Sequence, residues 1–164
     1  MHRARSTIAA LLIASGAFAA ACGSDKSTTE VLPAPNIDTI AFASSLGINL
    51  STFTKTSYGL YYKDLSVGTG ATVATGDSLF VHYFGYFPNA VVFDSNPTTT
   101  DPFRFTVGGG TVIAAWDSGA VGMKIGGQRQ LIVPPSLGYG TSAHLSIPAN
   151  SVLVFTITAV SKKP

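Results

Sequence analysis

The feature that most constrains the fold is a two-residue alternation of apolar and polar side chains that returns in several short segments. In Ser78–Tyr86, for example, Leu79, Val81 and Tyr83 fall on one side of an extended chain. Glycine-rich or proline-rich turns such as Gly108–Gly110 separate the segments. The spacing predicts an antiparallel sheet. The predicted strands are residues 59–65, 78–86, 103–107, 128–133 and 152–160.

One stretch between these strands has helical spacing. Ile113, Trp116 and Ala120 recur at i, i+3 and i+7, and the hydroxyl of Thr111 can cap the free amides of a first turn. The glycine at Gly122 ends the stretch. One short helix and about five antiparallel strands predict an α+β fold in which the sheet half wraps around the helix.

The charge content of the sequence and the motifs it lacks exclude several classes of function. Charged residues make up 11% of the chain, and without Arg3 and Arg5 the balance is eight bases against eight acids. A neutral chain has no electrostatic attraction for nucleic acid. The sequence also lacks a G-x-S-x-G nucleophile motif and a phosphate-binding loop. Its three histidines and single cysteine have no metal-ligand spacing, so neither a metal nor a cofactor is expected.

The amino-terminal residues have the pattern of an export signal. Arg3 and Arg5 precede an apolar run from Ile8 to Ala21, which is shorter than the ~20 residues that a membrane-spanning helix needs. Small residues close the run just before Cys22, the only cysteine. With one cysteine the chain forms no internal disulfide, so its stability must come from packing.

The segment Ala19-Ala20-Ala21-Cys22 resembles the lipobox of bacterial lipoproteins, although Ala19 stands where that family prefers leucine. The resemblance implies cleavage before Cys22, a lipid on Cys22, and anchoring to a bacterial membrane in the cell envelope, facing the periplasm or the exterior. The alternative is an ordinary cleaved signal with an incidental cysteine. The expected organisation is a signal peptide (1–21), a flexible tether (22–36), an N-terminal extension packed on the domain (37–56) and the folded domain (57–164).

Nine short strings in the folded domain stand out. They are Val81-His82-Tyr83-x-Gly85, Phe93-Asp94-Ser95, Pro102-Phe103-x-Phe105, Gly108, Val112-Ile113-x-x-Trp116, Gly127-Gln128-Arg129, Tyr139-Gly140, Ile147-Pro148 and Leu153-Val154-Phe155. In order and nearly in spacing they follow the pattern of one enzyme family: from about Gly59 to Val160 the domain resembles the FKBP-type peptidyl-prolyl cis-trans isomerases. The fold of that family is an antiparallel sheet around one short helix, in agreement with the pattern above.

The resemblance implies rotation of X-Pro peptide bonds in an aromatic pocket floored by Trp116. The Ile113 amide and the Tyr139 hydroxyl would hold substrate carbonyls, Asp94 would face the twisting carbonyl, and Ile147 would belong to a closing loop. It also implies proline-containing polypeptides as substrates and immunosuppressant macrolides as ligands. The expected catalytic residues are Tyr83, Asp94, Tyr139 and Phe155, and the expected substrate-binding residues are Phe93, Phe103, Val112, Ile113, Trp116 and Ile147.

Two other functions remain open from the sequence. Residues 96–101 carry no basic side chain to pair with Asp94, which favours a non-catalytic module that binds or chaperones proline-containing segments. A structural β-domain of the cell envelope is the third possibility. The first hypothesis is a monomeric, lipid-anchored isomerase that assists the folding of exported proteins.

Overall fold

The computed structural model describes residues 34–97 and 100–163, so the predicted signal peptide, Cys22 and most of the predicted tether lie outside the described residues. Within these residues, no helix is long and apolar enough to cross a membrane. In this part of the chain, seven strands and one α-helix form the domain; three short 3-10 turns (Ile37–Thr39, Ser44–Leu46 and Leu50–Thr52) precede the first strand, and a fourth (Pro135–Leu137) lies between the last two strands. The elements are β1 (Thr54–Lys55), β2 (Tyr61–Ser66), β3 (Ser78–Tyr86), β4 (Val92–Asn96), β5 (Phe103–Thr106), α1 (Ala114–Gly119), β6 (Gln128–Val133) and β7 (Leu153–Lys163).

The strands form a single antiparallel sheet in the order β1-β2-β6-β7-β3-β4. The strand β3 is central to it, because β7 pairs along one edge and β5 and β4 share the other edge. The predicted α+β class is therefore confirmed, with seven strands instead of about five. The prediction missed β1 and β4, which are short strands formed through their pairing with β2 and β3.

The helix is shorter than its apolar spacing predicts. Gly108 and Gly110 have φ values of 77° and 67°, and the chain does not turn into α1 until Ala114. Ile113 occupies the N-cap position, and no side chain caps it, so the predicted cap at Thr111 was wrong. Ala115 and Trp116 on α1 are buried against the inner face of the sheet.

The outer face of the sheet has a core of its own, which the N-terminal residues cover. Ile37 packs with Tyr61, Ile132 and Val154, whose side chains point away from α1. The Gln130 side-chain amide donates to the carbonyl of Leu46 at 3.1 Å. The partly buried apolar residues of this segment are Ile40, Phe42, Leu46, Ile48, Leu50 and Phe53.

A buried arginine joins the end of α1 to the sheet. Arg129 on β6 is 5% exposed, and its guanidinium donates to both carboxylate oxygens of Asp64, at 2.6 and 3.0 Å. A third nitrogen donates to the carbonyls of Gly119 and Val121 at 2.9 and 3.0 Å. The guanidinium also lies 4.7 Å from the centre of the Tyr62 ring. Only the planar, forked guanidinium satisfies all of these acceptors together.

We predict that Arg129→Lys lowers the free energy of unfolding by about 2–4 kcal/mol, because an ammonium group leaves buried acceptors without donors. Denaturant unfolding measures this change. The control is Arg104→Lys on β5, where the side chain is exposed and the expected change is within about 0.5 kcal/mol. Equal stabilities of the two variants would contradict the role assigned to Arg129.

Candidate functional site

A cavity of about 590 Å³ opens between the inner face of the sheet, the start of α1 and the segment that follows β6. It contains most of the side chains that the sequence assigned to the site. Strands β3 and β7 contribute one wall, and the residues before α1 contribute another. The predicted residues that line the cavity are Tyr83, Asp94, Phe103, Val112, Ile113, Trp116, Tyr139 and Phe155.

The indole of Trp116 is the centre of the aromatic part of the cavity. Its ring meets Tyr83, Phe155 and Phe103 edge to face, with ring centroids 4.9, 5.4 and 5.8 Å away. Each such pair contributes roughly 0.5–1.5 kcal/mol beyond the burial of its area. These contacts keep the indole still, so the aromatic surface exists before any ligand arrives.

Asp94 and Tyr83 form the polar side of the cavity. The Tyr83 hydroxyl donates to a carboxylate oxygen of Asp94 at 2.8 Å. Asp94 lies on β4, opposite Gly85 of β3, so pairing in the sheet sets the position of its carboxylate. Gly85 leaves room for a ring there, since a Cβ at this position would lie 2.7 Å from the ring of Phe93.

The two tyrosines of the cavity are difficult to ionise. Burial raises the pKa of Tyr83 well above its usual value, and the hydrogen bond to Asp94 and its negative charge raise it further. Burial also raises the pKa of Tyr139, followed by the charge of Asp94. Both hydroxyls therefore remain neutral hydrogen-bond donors at physiological pH.

The ring of Tyr139 packs against a histidine from the segment that follows it in the chain. The ring of His144 stacks on the ring of Tyr139, with centroids 4.6 Å apart and planes 7° apart, and both line the cavity. Of these two residues, the sequence predicted only Tyr139 as a site residue. His144 is five positions further along the chain, and the loop between them places its ring against that of Tyr139.

Two predicted site residues are not in the lining of the cavity. Phe93 lies behind it, where its ring meets Phe155 edge to face at 5.5 Å and contacts Phe87 at 5.1 Å. Ile147 is 5% exposed and belongs to the core. Its amide and carbonyl pair with His144 across a two-residue turn. Both residues support lining residues from behind, while their predicted contacts with substrate stay predictions.

Five residues that line the cavity were not predicted as site residues from the sequence. They are Gly110, Thr111, Ala114 and Gly138, in addition to His144. Small residues beside a cavity produce no periodic pattern of apolar side chains in the sequence. They are identified only when the path of the backbone is known.

Comparison with known proteins is consistent with this geometry. Residues 70–160 match the family model described as FKBP-type peptidyl-prolyl cis-trans isomerase. The chain belongs to this FKBP family. A solved structure of AtFKBP13 superposes with a TM-score of 0.63 at 35% identity, over 68% of this chain and 98% of that one. A structure of FkpA from Escherichia coli has a TM-score of 0.64 at 31% identity, over 74% of this chain and 55% of that one.

Curated FKBP relatives are longer than this chain. The protein named FK506-binding protein 4 from Chaetomium thermophilum is 44% identical over 109 residues, which are 66% of this chain and 22% of that protein. The chain thus spans about a quarter of the length of the curated relatives it matches. The region of similarity therefore covers only part of each of these relatives.

The raised pKa of Tyr83 predicts a loss of stability in alkali. Because the folded pKa lies above the unfolded value of about 10, the stabilisation is complete below pH 10 and is lost as the pH rises through the folded pKa. Tyr83→Phe flattens this decline, measured by urea unfolding between about pH 8 and 12.

Asp94→Asn moves the phenolate absorbance transition of Tyr83 to lower pH. An unmoved transition would show that Asp94 does not control this hydroxyl.

Proposed function

We propose that the protein is a peptidyl-prolyl cis-trans isomerase that acts on X-Pro bonds of polypeptides. The observation that carries the proposal is the open cavity over the indole of Trp116, with aromatic walls and a few polar groups at its edge. A proline ring is a compact apolar group that fits such a surface. The matching family model supports the same activity.

The reaction requires no bond to be made or cut. The barrier to rotation is ~18–20 kcal/mol, because amide resonance must be lost at the twisted midpoint. The planar amide has a strongly polar carbonyl that water stabilises, whereas the twisted amide loses less when it leaves water. An aromatic cavity that excludes water therefore favours the twisted form, and ~1.4 kcal/mol of this preference accelerates the rotation tenfold.

The polar groups of the cavity give the substrate one orientation. The neutral Tyr139 hydroxyl is a donor for a substrate carbonyl, and the Ile113 amide at the start of α1 is a second donor. Asp94 lies on the other side, with its carboxylate oriented by Tyr83. In this proposal the two donors hold the chain while the carbonyl before proline turns near Asp94.

We predict that Phe155→Leu lowers kcat/KM for a proline peptide about tenfold, because a branched side chain replaces a ring of the cavity. The matched control is Phe84→Leu. Phe84 is 38% exposed and follows Tyr83 on β3, so it lies on the opposite face of the sheet. The control is expected to stay within about twofold of wild type. A coupled isomerase assay measures both, and thermal unfolding shows that both variants are folded.

A non-catalytic module that binds proline-containing segments is the alternative. It is favoured by the exposed carboxylate of Asp94, which has a hydroxyl and no cation as its partner among the described residues. Titration of the same peptide and of a macrolide separates the two functions. Binding that depends on Phe155, without any acceleration of rotation by wild type, would replace the enzyme with the module.

We further propose that the chain is exported and anchored to a bacterial membrane through a lipid on Cys22, where it would act on exported proteins. The support is the sequence before Cys22: two arginines, a short apolar run and three alanines. The described domain begins beyond these residues, and the intervening stretch is long enough to serve as a tether.

We predict that Cys22→Ser releases the protein from the membrane fraction of a bacterial host, because the lipidated sulfur is lost. Incorporation of labelled palmitate and membrane fractionation measure the change. Ser24→Ala is the control, since it alters the same segment and leaves the cysteine. Wild-type protein without label, recovered in the soluble fraction, would disprove the anchor and leave the isomerase proposal untouched.

A further inference from the structure

The carboxylate of Asp117 connects α1 to the loop that precedes it. One oxygen accepts the backbone N–H of Gly108 at 2.9 Å, and the other accepts the N–H of Gly110 at 2.8 Å. Both amides belong to the triple-glycine segment between β5 and α1. The side chain thus spans the gap between helix and loop with two charge-assisted hydrogen bonds.

Hydrogen bonds from outside this loop are needed to fix its conformation, because its glycine residues are intrinsically flexible. Gly108 and Gly110 both have positive φ, which glycine adopts readily but has no preference for. Gly108 is also tightly placed, since a Cβ there would lie 2.7 Å from the Cγ2 of Thr75. Three consecutive glycines lose much conformational entropy when they take one path. The two bonds from Asp117 offset part of this cost.

The loop and Asp117 are both adjacent to the cavity. Gly110 and the residues from Thr111 to Ile113 form one wall, and Trp116, the residue before Asp117, forms the floor. A single turn of helix therefore presents the floor through one side chain and holds the wall through the next. Any loosening of the carboxylate bonds changes the distance between wall and floor.

We propose that Asp117 is a positioning residue of the isomerase site, which holds the loop Gly108–Ile113 at a set distance from Trp116 and thereby determines the affinity for the substrate. Asp117 acts through the backbone of the loop. The inference rests on the proposed function for its catalytic consequence, while the ordering of the loop is independent of any substrate. Misplacement of a wall by about 1 Å is enough to weaken the interaction with a substrate in a preformed pocket.

The experiment compares Asp117→Ala, Asp117→Asn and Ser118→Ala in the full chain. Ser118 is the matched control, because its hydroxyl donates to the carbonyl of Ala114 at 2.8 Å on the same helix and does not reach the loop. Asp117→Ala removes both bonds, so kcat/KM for a proline peptide is expected to fall about tenfold, mainly through KM. Asp117→Asn keeps one acceptor and is expected to lie between, and Ser118→Ala within about twofold of wild type.

Amide hydrogen exchange of residues 108–113 gives a second measurement that needs no substrate. The expected result is faster exchange at Gly108 and Gly110 in both Asp117 variants, with protection in β6 and β7 unchanged. Unchanged exchange in the loop, or a KM equal to that of wild type in Asp117→Ala, would overturn the proposal. If Asp117→Ala fails to fold, Asp117→Asn provides both readouts. If the Asp117 variants show faster loop exchange than wild type but wild type isomerises no peptide, the proposed function fails and the positioning of the loop stands.

Discussion

The edge-to-face packing of Trp116 against three rings of the sheet is the contact on which the rest of this domain depends. Tyr83, Phe103 and Phe155 come from three different strands, β3, β5 and β7, and all three meet one indole on a helix of six residues. So short a helix is not stable alone. It persists because its aromatic side chain is packed into the sheet, and the same packing leaves the indole as an aromatic surface of the cavity.

Both faces of the sheet have to be covered for this arrangement to hold. The helix covers the inner face, and the segment beginning at Ile37 covers the outer face at Ile132 and Val154. Arg129 joins the sheet to the helix, because it lies in β6 and binds the carbonyls of Gly119 and Val121 at the end of α1. The position of α1, which carries the indole, is therefore set by the rings of the sheet and by the arginine.

In the proposed function, the site acts through its shape and the exclusion of water. The Tyr83 hydroxyl orients the Asp94 carboxylate, the Tyr139 hydroxyl is the proposed donor to a substrate carbonyl, and burial keeps both hydroxyls neutral. The sequence predicted no strand at Asp94, because three polar side chains in a row (Asp94, Ser95 and Asn96) seldom form a strand unaided. Pairing with β3 made it a strand residue and directed its carboxylate to the cavity.

The sequence alone determined five of the seven strands, their apolar faces and the aromatic candidates for the pocket, since the strands depend on the period of the chain and the candidates on the order of short strings; it did not show β1 and β4. Trp116 and Phe155 were identified in this way, and both line the cavity. Only the tertiary structure decided that Ile147 turns into the core, that His144 stacks on Tyr139, and that Asp117 reaches back to the glycine loop. The local sequence pattern reflects only the conformational preferences of residues that are close in the chain. These three contacts join side chains and loops whose positions are set by the packing of the whole domain.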